Sequence, residues 1–224
     1  MSIVPDRLAK STRGGFAPIA RRLHALGVSA NAVTVVGFLM TVAGSALLAT
    51  GQPGAALLVL LLGTLSDTLD GQIARAAGGG TRFGAFLDST LDRLSDAALA
   101  IAAVRLGASM LDPFDPFFVH RTLARTVGIG TADILFWSGL LLLVASFLVS
   151  YIRAKAESLG EGASVGLAPR EARIAIYLVG VAAWAVTGNP QLFAAAVAAA
   201  AFLATVTVIQ RIAHMANVLD EKKG

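Results

Sequence analysis

The chain has 224 residues, of which 56% are hydrophobic and only 14% are charged, and its mean hydropathy is +0.73. Soluble domains carry about 25% charged residues, so this composition excludes an ordinary soluble domain and predicts an all-α membrane protein. Cysteine is absent, which excludes disulfides and thiolate metal sites. The net charge of +4 matches the Lys and Arg excess expected on the cytoplasmic side of a membrane protein, so no nucleic-acid partner is predicted.

The N-terminal segment, residues 1–30, is basic and is interrupted by prolines and glycines, so it lacks the pattern of a cleavable signal peptide. From Pro18 onward, arginines and leucines recur at helical, amphipathic spacing. This spacing predicts a short juxtamembrane helix that lies in the headgroup layer with its basic face toward anionic lipid. A solvated basic tail is the alternative.

Six apolar stretches follow, each close to the roughly 20 residues that a membrane-spanning helix needs. They are predicted at about 31–50, 53–77, 83–107, 129–152, 169–188 and 190–216. Ser29 or Asn31 is expected to cap the first of them, and residues 108–128 are expected to form a loop on the far side. We therefore expect one domain of six transmembrane helices over 31–217, followed by a tail at 218–224.

The basic residues set the orientation. They gather in the N-terminal segment, in the 75–82 and 153–173 loops and in the tail, with Arg121 and Arg125 as exceptions. By the positive-inside rule, both termini face the cytoplasm, and we expect a multi-pass protein of the cell membrane. The small-residue run Ala194–Ala201 predicts close helix packing.

Four aspartates stand where the second span ends and the third begins. Asp67 and Asp70 are three residues apart and Asp88 and Asp92 are four apart, so each pair projects from one helix face. A Gly-rich bend at 78–80 allows the two pairs to meet. Crowded carboxylates repel one another unless hard divalent cations lie between them, so the pattern predicts a metal site. Asp96, one turn further on, is expected to support the metal ligands from behind or to pair with an arginine, rather than to bind the metal itself.

This pattern resembles the signature of the CDP-alcohol phosphotransferase family: Asp67-x-x-Asp70-Gly71-x-x-Ala74-Arg75, eight residues, then Gly84-x-x-x-Asp88-x-x-x-Asp92. The resemblance implies an integral membrane enzyme that displaces CMP from a CDP-linked lipid with an alcohol, using two Mg²⁺ or Mn²⁺ ions. It implies that Asp67, Asp70 and Asp88 are the main metal ligands, and that Asp92 is the general base and a further metal contact. A homodimer is also expected from the family.

The resemblance further implies the contacts to the nucleotide and the CDP-lipid, which are Thr34, Asp67, Asp70, Gly71, Ala74, Arg75, Gly84 and Asp88. Thr34 belongs to an entry sequence similar to the family's, although Ala30 replaces the usual proline. Gly71 has no side chain, so a pyrophosphate can approach the backbone there. Arg75 either meets a phosphate, pairs with an aspartate, or only anchors the helix at the interface.

A second set of charges is basic and comes from three helix ends on the cytoplasmic side: Arg153, Lys155, Arg170, Arg173 and Arg211. Guanidinium groups bind phosphate in a bidentate manner, so these residues are candidates for binding the phosphate of an anionic acceptor. The alternative is that each one snorkels to the membrane interface.

The segments 151–157, 170–173 and 210–211 resemble the branch of the family that makes phosphatidylinositol phosphate in actinobacteria. Glu171-Ala172 stands where that branch commonly has Pro-Glu, and Asn31 where Asp is common. The resemblance implies CDP-diacylglycerol as donor and 1D-myo-inositol 3-phosphate as acceptor, with lipid tails entering between helices.

Other readings stay open at this point. Within the class they are glycerol 3-phosphate as acceptor (a phosphatidylglycerophosphate synthase), serine, or an ether-lipid donor with the same acceptor (an archaetidylinositol phosphate synthase). Serine would not need so many cations. Outside the class, a small cation transporter would place its acids near mid-span and show repeat symmetry, whereas here the acids cluster at one loop.

Overall fold

The computed structural model describes residues 17–111 and 129–221, and this part of the chain is helical. The all-α prediction is therefore confirmed. The helices are α1 (Ala17–Ala25), α2 (Ala30–Ala49), α3 (Pro53–Ala76), α4 (Arg82–Leu111), α5 (Ile129–Ser158), α6 (Arg170–Thr187) and α7 (Pro190–Glu221). The prolines and arginines before residue 17 and most of the expected 108–128 loop lie outside the described residues.

Each of the six predicted apolar stretches is a helix, but α5 and α7 extend well beyond the apolar segments, to Ser158 and Glu221. Hydropathy marks the part of a helix that suits the bilayer, not the residue where the helix ends, so the polar last turns were missed. Among the described residues, four stretches are long and apolar enough to cross a membrane: Ala30–Ala49, Pro53–Ala76, Gly130–Ser158 and Pro190–Asp220. The other two long helices, α4 and α6, carry charged side chains in their first half.

The helix boundaries follow local chemistry. Ser29 caps α2 by accepting a hydrogen bond from the Ala32 amide (3.2 Å), as predicted. Pro53 and Pro190 begin α3 and α7, where a missing amide hydrogen costs nothing. Gly78 and Gly79 have φ angles of 90° and 125°, which L side chains rarely adopt, so these glycines allow the tight turn between α3 and α4. The predicted bend is thus confirmed, and it brings the two aspartate pairs together.

Glycines also set the distance between neighbouring helices. A Cβ atom on Gly37 of α2 would lie 2.9 Å from Cβ of Ser66 on α3, and one on Gly107 of α4 would lie 2.6 Å from the Phe136 amide of α5. Such close backbone approach is typical of helix association in membranes. Ala194, Ala200 and other alanines of the predicted small-residue run are buried, so the close packing expected there is confirmed.

The loop between α5 and α6, residues 159–169, is fastened to α7. Thr207 accepts a hydrogen bond from the Ala168 amide (3.3 Å), Gln210 accepts one from the Leu167 amide (2.9 Å), and Arg211 donates to the Val165 carbonyl (2.9 Å). Gly166 has a φ of 140°, and a Cβ atom there would lie 2.4 Å from Cγ2 of Thr207. The loop therefore runs against α7 at a point where only glycine fits.

Gly166→Ala is expected to destabilise the protein, because both the positive φ and the contact with Thr207 oppose a side chain. Strain of this kind costs about 1–3 kcal/mol, so the melting temperature in detergent should fall by several degrees. Gly162→Ala is the matched control, since a Cβ atom at Gly162 meets nothing within 4 Å. Equal melting temperatures for the two variants would contradict the prediction.

Candidate active site

The two aspartate pairs face each other across α3 and α4. Asp67 and Asp92 share one cation: an Nη1 atom of Arg170 lies 3.4 Å from Oδ2 of Asp67 and 2.9 Å from Oδ1 of Asp92. The i,i+3 and i,i+4 spacings that point each pair from one helix face are what allow this meeting. We call Asp67, Asp92, Asp96, Arg170 and Arg173 the charged cluster.

Asp70 lies apart from that cation and has a hydroxyl partner instead. Thr34 of α2 donates a hydrogen bond of 2.7 Å to Oδ2 of Asp70, and both side chains are buried. Asp88, one helical turn before Asp92, is exposed. Asp70 and Asp88 both line a cleft that opens beside the charged cluster.

This cleft has a volume of about 450 Å³ and is formed by the α1–α2 junction, α3, the Gly-rich turn and the start of α4. The predicted nucleotide contacts that line it are Thr34, Asp70, Gly71, Ala74, Gly84 and Asp88. Asp67 does not line it and lies in the charged cluster. Arg75 is exposed, and its guanidinium lies beside the position where Gly71 would carry a side chain.

Gly84 has a steric role in the cleft. A Cβ atom at Gly84 would lie 3.0 Å from both Oδ1 of Asn31 and Oγ1 of Thr81, so a side chain there would crowd the polar atoms of the lining.

His24 also lines the cleft, and the sequence did not single it out. Its position depends on how α1 packs beside α3, which no local pattern encodes.

Asp96 is paired with two arginines of α6. Oδ1 of Asp96 accepts a hydrogen bond from Nε of Arg170 (3.1 Å), and Oδ2 accepts one from Nη2 of Arg173 (3.4 Å). The expectation that Asp96 pairs with an arginine is confirmed. Arg173 is buried and also donates to the Ala168 carbonyl (3.0 Å).

The remaining predicted acceptor contacts lie further along the same face. Arg153 is exposed and forms an ion pair of 3.0 Å with Glu157, and Lys155 is exposed as well. Arg211 is buried and donates to the main-chain carbonyls of Val165 and Val149. Arg153 and Arg173 each lie near enough to Arg211 for their charges to act on it. Three of the predicted basic residues therefore converge, whereas Arg170 lies among the carboxylates.

The donor chemistry of the site fits a hard divalent cation, because carboxylate oxygens are the ligands that Mg²⁺ and Mn²⁺ take. Over residues 17–111 and 129–221, however, no three acidic or histidine side chains are gathered around one point so as to hold an ion. Asp67 and Asp92 turn toward Arg170, and Asp70 turns toward Thr34. The residues that would hold the ions are Asp67, Asp70 and Asp88, with Asp92 as a further contact.

Comparisons with known proteins find relatives over most of the chain. Residues 27–210 match the family model of CDP-alcohol phosphatidyltransferases. The chain is 36% identical over 219 residues to archaetidylinositol phosphate synthase of Methanothermobacter thermautotrophicus, covering 95% of this chain and 97% of the relative. It is 37% identical over 177 residues to phosphatidylinositol phosphate synthase of Mycobacterium marinum, covering 75% and 66% of the two chains.

Solved structures of related proteins have a similar fold. Phosphatidylinositol phosphate synthase of Mycobacterium tuberculosis in complex with manganese and citrate superposes with a TM-score of 0.73 at 32% identity, covering 88% of this chain and 86% of the other. The same enzyme with CDP-DAG bound superposes with a TM-score of 0.73 at 31% identity, covering 88% and 92%.

Proposed function

Because this chain belongs to the CDP-alcohol phosphatidyltransferase family, it is a transferase of phosphate-containing groups, and we propose that it joins a phosphatidyl group from CDP-diacylglycerol to 1D-myo-inositol 3-phosphate with release of CMP. The observation that carries the proposal is the cleft itself. It is lined by signature residues, and it opens beside acidic side chains that are paired with Arg170 and Arg173 of α6.

The acceptor is supported by two independent observations. One relative is named as an archaetidylinositol phosphate synthase and another as a phosphatidylinositol phosphate synthase. The two names share inositol phosphate and differ in the lipid. In this chain, the positive charges of Arg153 and Arg173 each act on Arg211, and an anionic phosphate would relieve this repulsion. Lys155 is assigned to the same region, and Arg170, which lies among the carboxylates, is assigned to the border between this region and the aspartates.

In the proposed reaction, Asp92 takes the proton from the acceptor hydroxyl as that oxygen attacks the lipid-linked phosphorus. The phosphorus–oxygen bond to CMP breaks and CMP leaves. Divalent Mg²⁺ or Mn²⁺ is the cofactor, and when bound it neutralises the pyrophosphate and the leaving group. Asp67, Asp70 and Asp88 hold it, while the backbone at Gly71 and Gly84 leaves room for the nucleotide.

We further propose six spans, α2 to α7, with α1 lying in the headgroup layer and both termini in the cytoplasm. Arg170 in the first turn of α6 contacts Asp67 in the C-terminal half of α3 and Asp92 in the N-terminal half of α4, so these charged parts of the three helices lie at the same end of the bundle. Their charge supports placing that end at the membrane surface. The 18 residues of α6 would rise about 27 Å, close to the hydrocarbon thickness. We also propose that the chain divides into an N-terminal segment, a six-helix domain and a tail, at 1–30, 31–217 and 218–224. The protein would lie in the cell membrane as a homodimer surrounded by membrane lipids.

A second candidate differs only in the donor. The similarity to an archaetidylinositol phosphate synthase extends over 95% of the chain, which favours an ether-linked CDP-lipid as the alternative. The cation transporter considered from the sequence is set aside, because the family is one of transferases.

The proposal is tested by measuring CMP release from purified protein in detergent with Mg²⁺. The ester and ether CDP-lipids are each combined with inositol phosphate, glycerol 3-phosphate, serine and free inositol. We expect turnover with the ester donor and inositol phosphate alone. Turnover with the ether donor only would favour the second candidate, and turnover with glycerol 3-phosphate or serine would overturn the acceptor.

Thr34→Val is expected to lower activity, because it removes the buried hydroxyl that orients Asp70. Partners of this kind typically change metal affinity or activity by about 10- to 100-fold, so the Mg²⁺ concentration for half-maximal turnover should rise by that factor. Thr205→Val is the control, since the Thr205 hydroxyl bonds to the Ala201 carbonyl of its own helix and to no other group in the described part of the chain. An unchanged Mg²⁺ dependence would show that Asp70 does not need Thr34.

A further inference from the structure

Asp96 is the most enclosed acidic member of the charged cluster. The exposed fraction of the side chains falls along the cluster, from 36% at Asp67 and 28% at Asp92 to 24% at Arg170, 10% at Asp96 and 5% at Arg173. Asp96 does not line the cleft. Asp92 does not line it either, but Asp92 is one helical turn from Asp88, which does, whereas Asp96 is two turns away and less exposed. Asp96 therefore lies deeper in the bundle than Asp92.

The two carboxylates contact different nitrogens of the same guanidinium. Asp96 accepts from Nε of Arg170 at 3.1 Å, and Asp92 contacts Nη1 at 2.9 Å. Because a guanidinium is planar and rigid, fixing Nε from behind also fixes the direction in which Nη1 points. The position of Asp96 thus determines where Arg170 meets Asp92.

Asp96 is itself held in place by a second cation. Its other oxygen accepts from Nη2 of Arg173, whose Nη1 donates to the Ala168 carbonyl. Asp92 and Asp96 are one helical turn apart on α4, and Arg170 and Arg173 are one turn apart on α6, so each arginine faces a carboxylate. Asp96 and Arg173 are the enclosed pair of this set, so removing either charge would leave the other without its partner in a poorly solvated place.

We propose that Asp96 is a positioning residue for the transfer reaction, which holds Arg170 through Nε so that Nη1 orients the carboxylate of Asp92 toward the acceptor hydroxyl. One oxygen of Asp92 is then occupied by Arg170, and the other is free to take the proton. Asp96 itself touches neither substrate. This inference rests on the proposed function and assigns a role to a residue outside the family signature.

The test is a double-mutant cycle of Asp96→Asn and Arg170→Gln, with kcat, both KM values and melting temperature measured for each variant. Asp96→Asn should lower kcat by about 10- to 100-fold and leave the KM for the CDP-lipid unchanged, because Asp96 is outside the cleft. In the Arg170→Gln background the same substitution should lower kcat by less than about threefold, since its effect passes through Arg170. Asp96→Glu keeps the charge and should recover most of the lost kcat.

Asp133→Asn is the matched control, because Asp133 lies near the start of α5, at the opposite end of the bundle, and it should keep wild-type kcat. Losses in kcat that multiply independently in the double variant would overturn the proposal. A loss for Asp96→Asn that merely follows the fraction of folded protein would overturn it as well. If Asp96→Asn does not fold, Arg170→Gln alone decides, because a wild-type kcat in that variant would show that Asp92 does not need Arg170.

Failure of the proposed function gives a different result. A wild-type protein that turns over no acceptor would overturn that function and, with it, the catalytic role of Asp96. The cycle of melting temperatures needs no substrate, so coupling between Asp96 and Arg170 in that cycle would still support the anchoring of Arg170.

Discussion

Asp92→Asn is expected to lower kcat for CMP release by about 10²- to 10⁴-fold, the range typical of a lost general base. Asparagine has nearly the same shape as aspartate and can still meet Arg170, but it cannot accept the proton of the acceptor hydroxyl. Since Asp92 does not line the cleft, the KM for the CDP-lipid should change little. Steady-state kinetics with inositol phosphate as the varied acceptor give both values.

Two outcomes would contradict this assignment of Asp92. One is a kcat within about tenfold of wild type, which is too small a change for a general base. The other is an equal loss of kcat in Asp133→Asn, which would indicate a general effect of removing an acid from the bundle. A wild-type melting temperature for Asp92→Asn would exclude misfolding as the cause.

Asp88→Asn is expected to lower turnover by about 10³-fold, because the charge stabilisation that a bound metal gives to a transition state amounts to several kcal/mol. Asp88 is exposed and lines the cleft, and no ion pair of it occurs among the described residues. Removing its charge should therefore leave the fold unchanged, in contrast to changes at the buried Asp70.

The decisive measurement for Asp88 is the melting temperature with and without Mn²⁺. A ligand that binds only the folded state raises the melting temperature, so wild-type protein should be stabilised by Mn²⁺ and Asp88→Asn should not. A full Mn²⁺-induced shift in the variant would show that Asp88 is not a metal ligand, whatever its effect on turnover.

Local patterns predicted much of the structure. The six helices, the Ser29 cap and the turn at Gly78 and Gly79 follow from hydropathy, capping preference and glycine conformation, all of which act within a few residues. The sequence also predicted that the two aspartate pairs lie opposite each other, because helical spacing and one tight turn determine this arrangement.

The partners of those carboxylates could not be predicted in the same way. The sequence assigned Arg170 to the acceptor phosphate, but 103 residues separate it from Asp67, and their contact depends on how α6 packs against α3 and α4. Packing between helices also determines the hydrogen bond from Arg211 to the Val165 carbonyl and the position of His24 in the cleft lining. For Asp96 the kind of partner was predictable from charge, whereas its identity was not.

The separation of Asp96 from Arg170 along the chain, 74 residues, has a consequence for biogenesis. A ribosome makes α3 and α4, with their carboxylates, long before it makes the arginines of α6. Neutralisation of these acids by the chain itself is therefore a late event of synthesis. Until α6 arrives, the emerging α3–α4 hairpin depends on water, ions or the insertion machinery to accommodate its carboxylates.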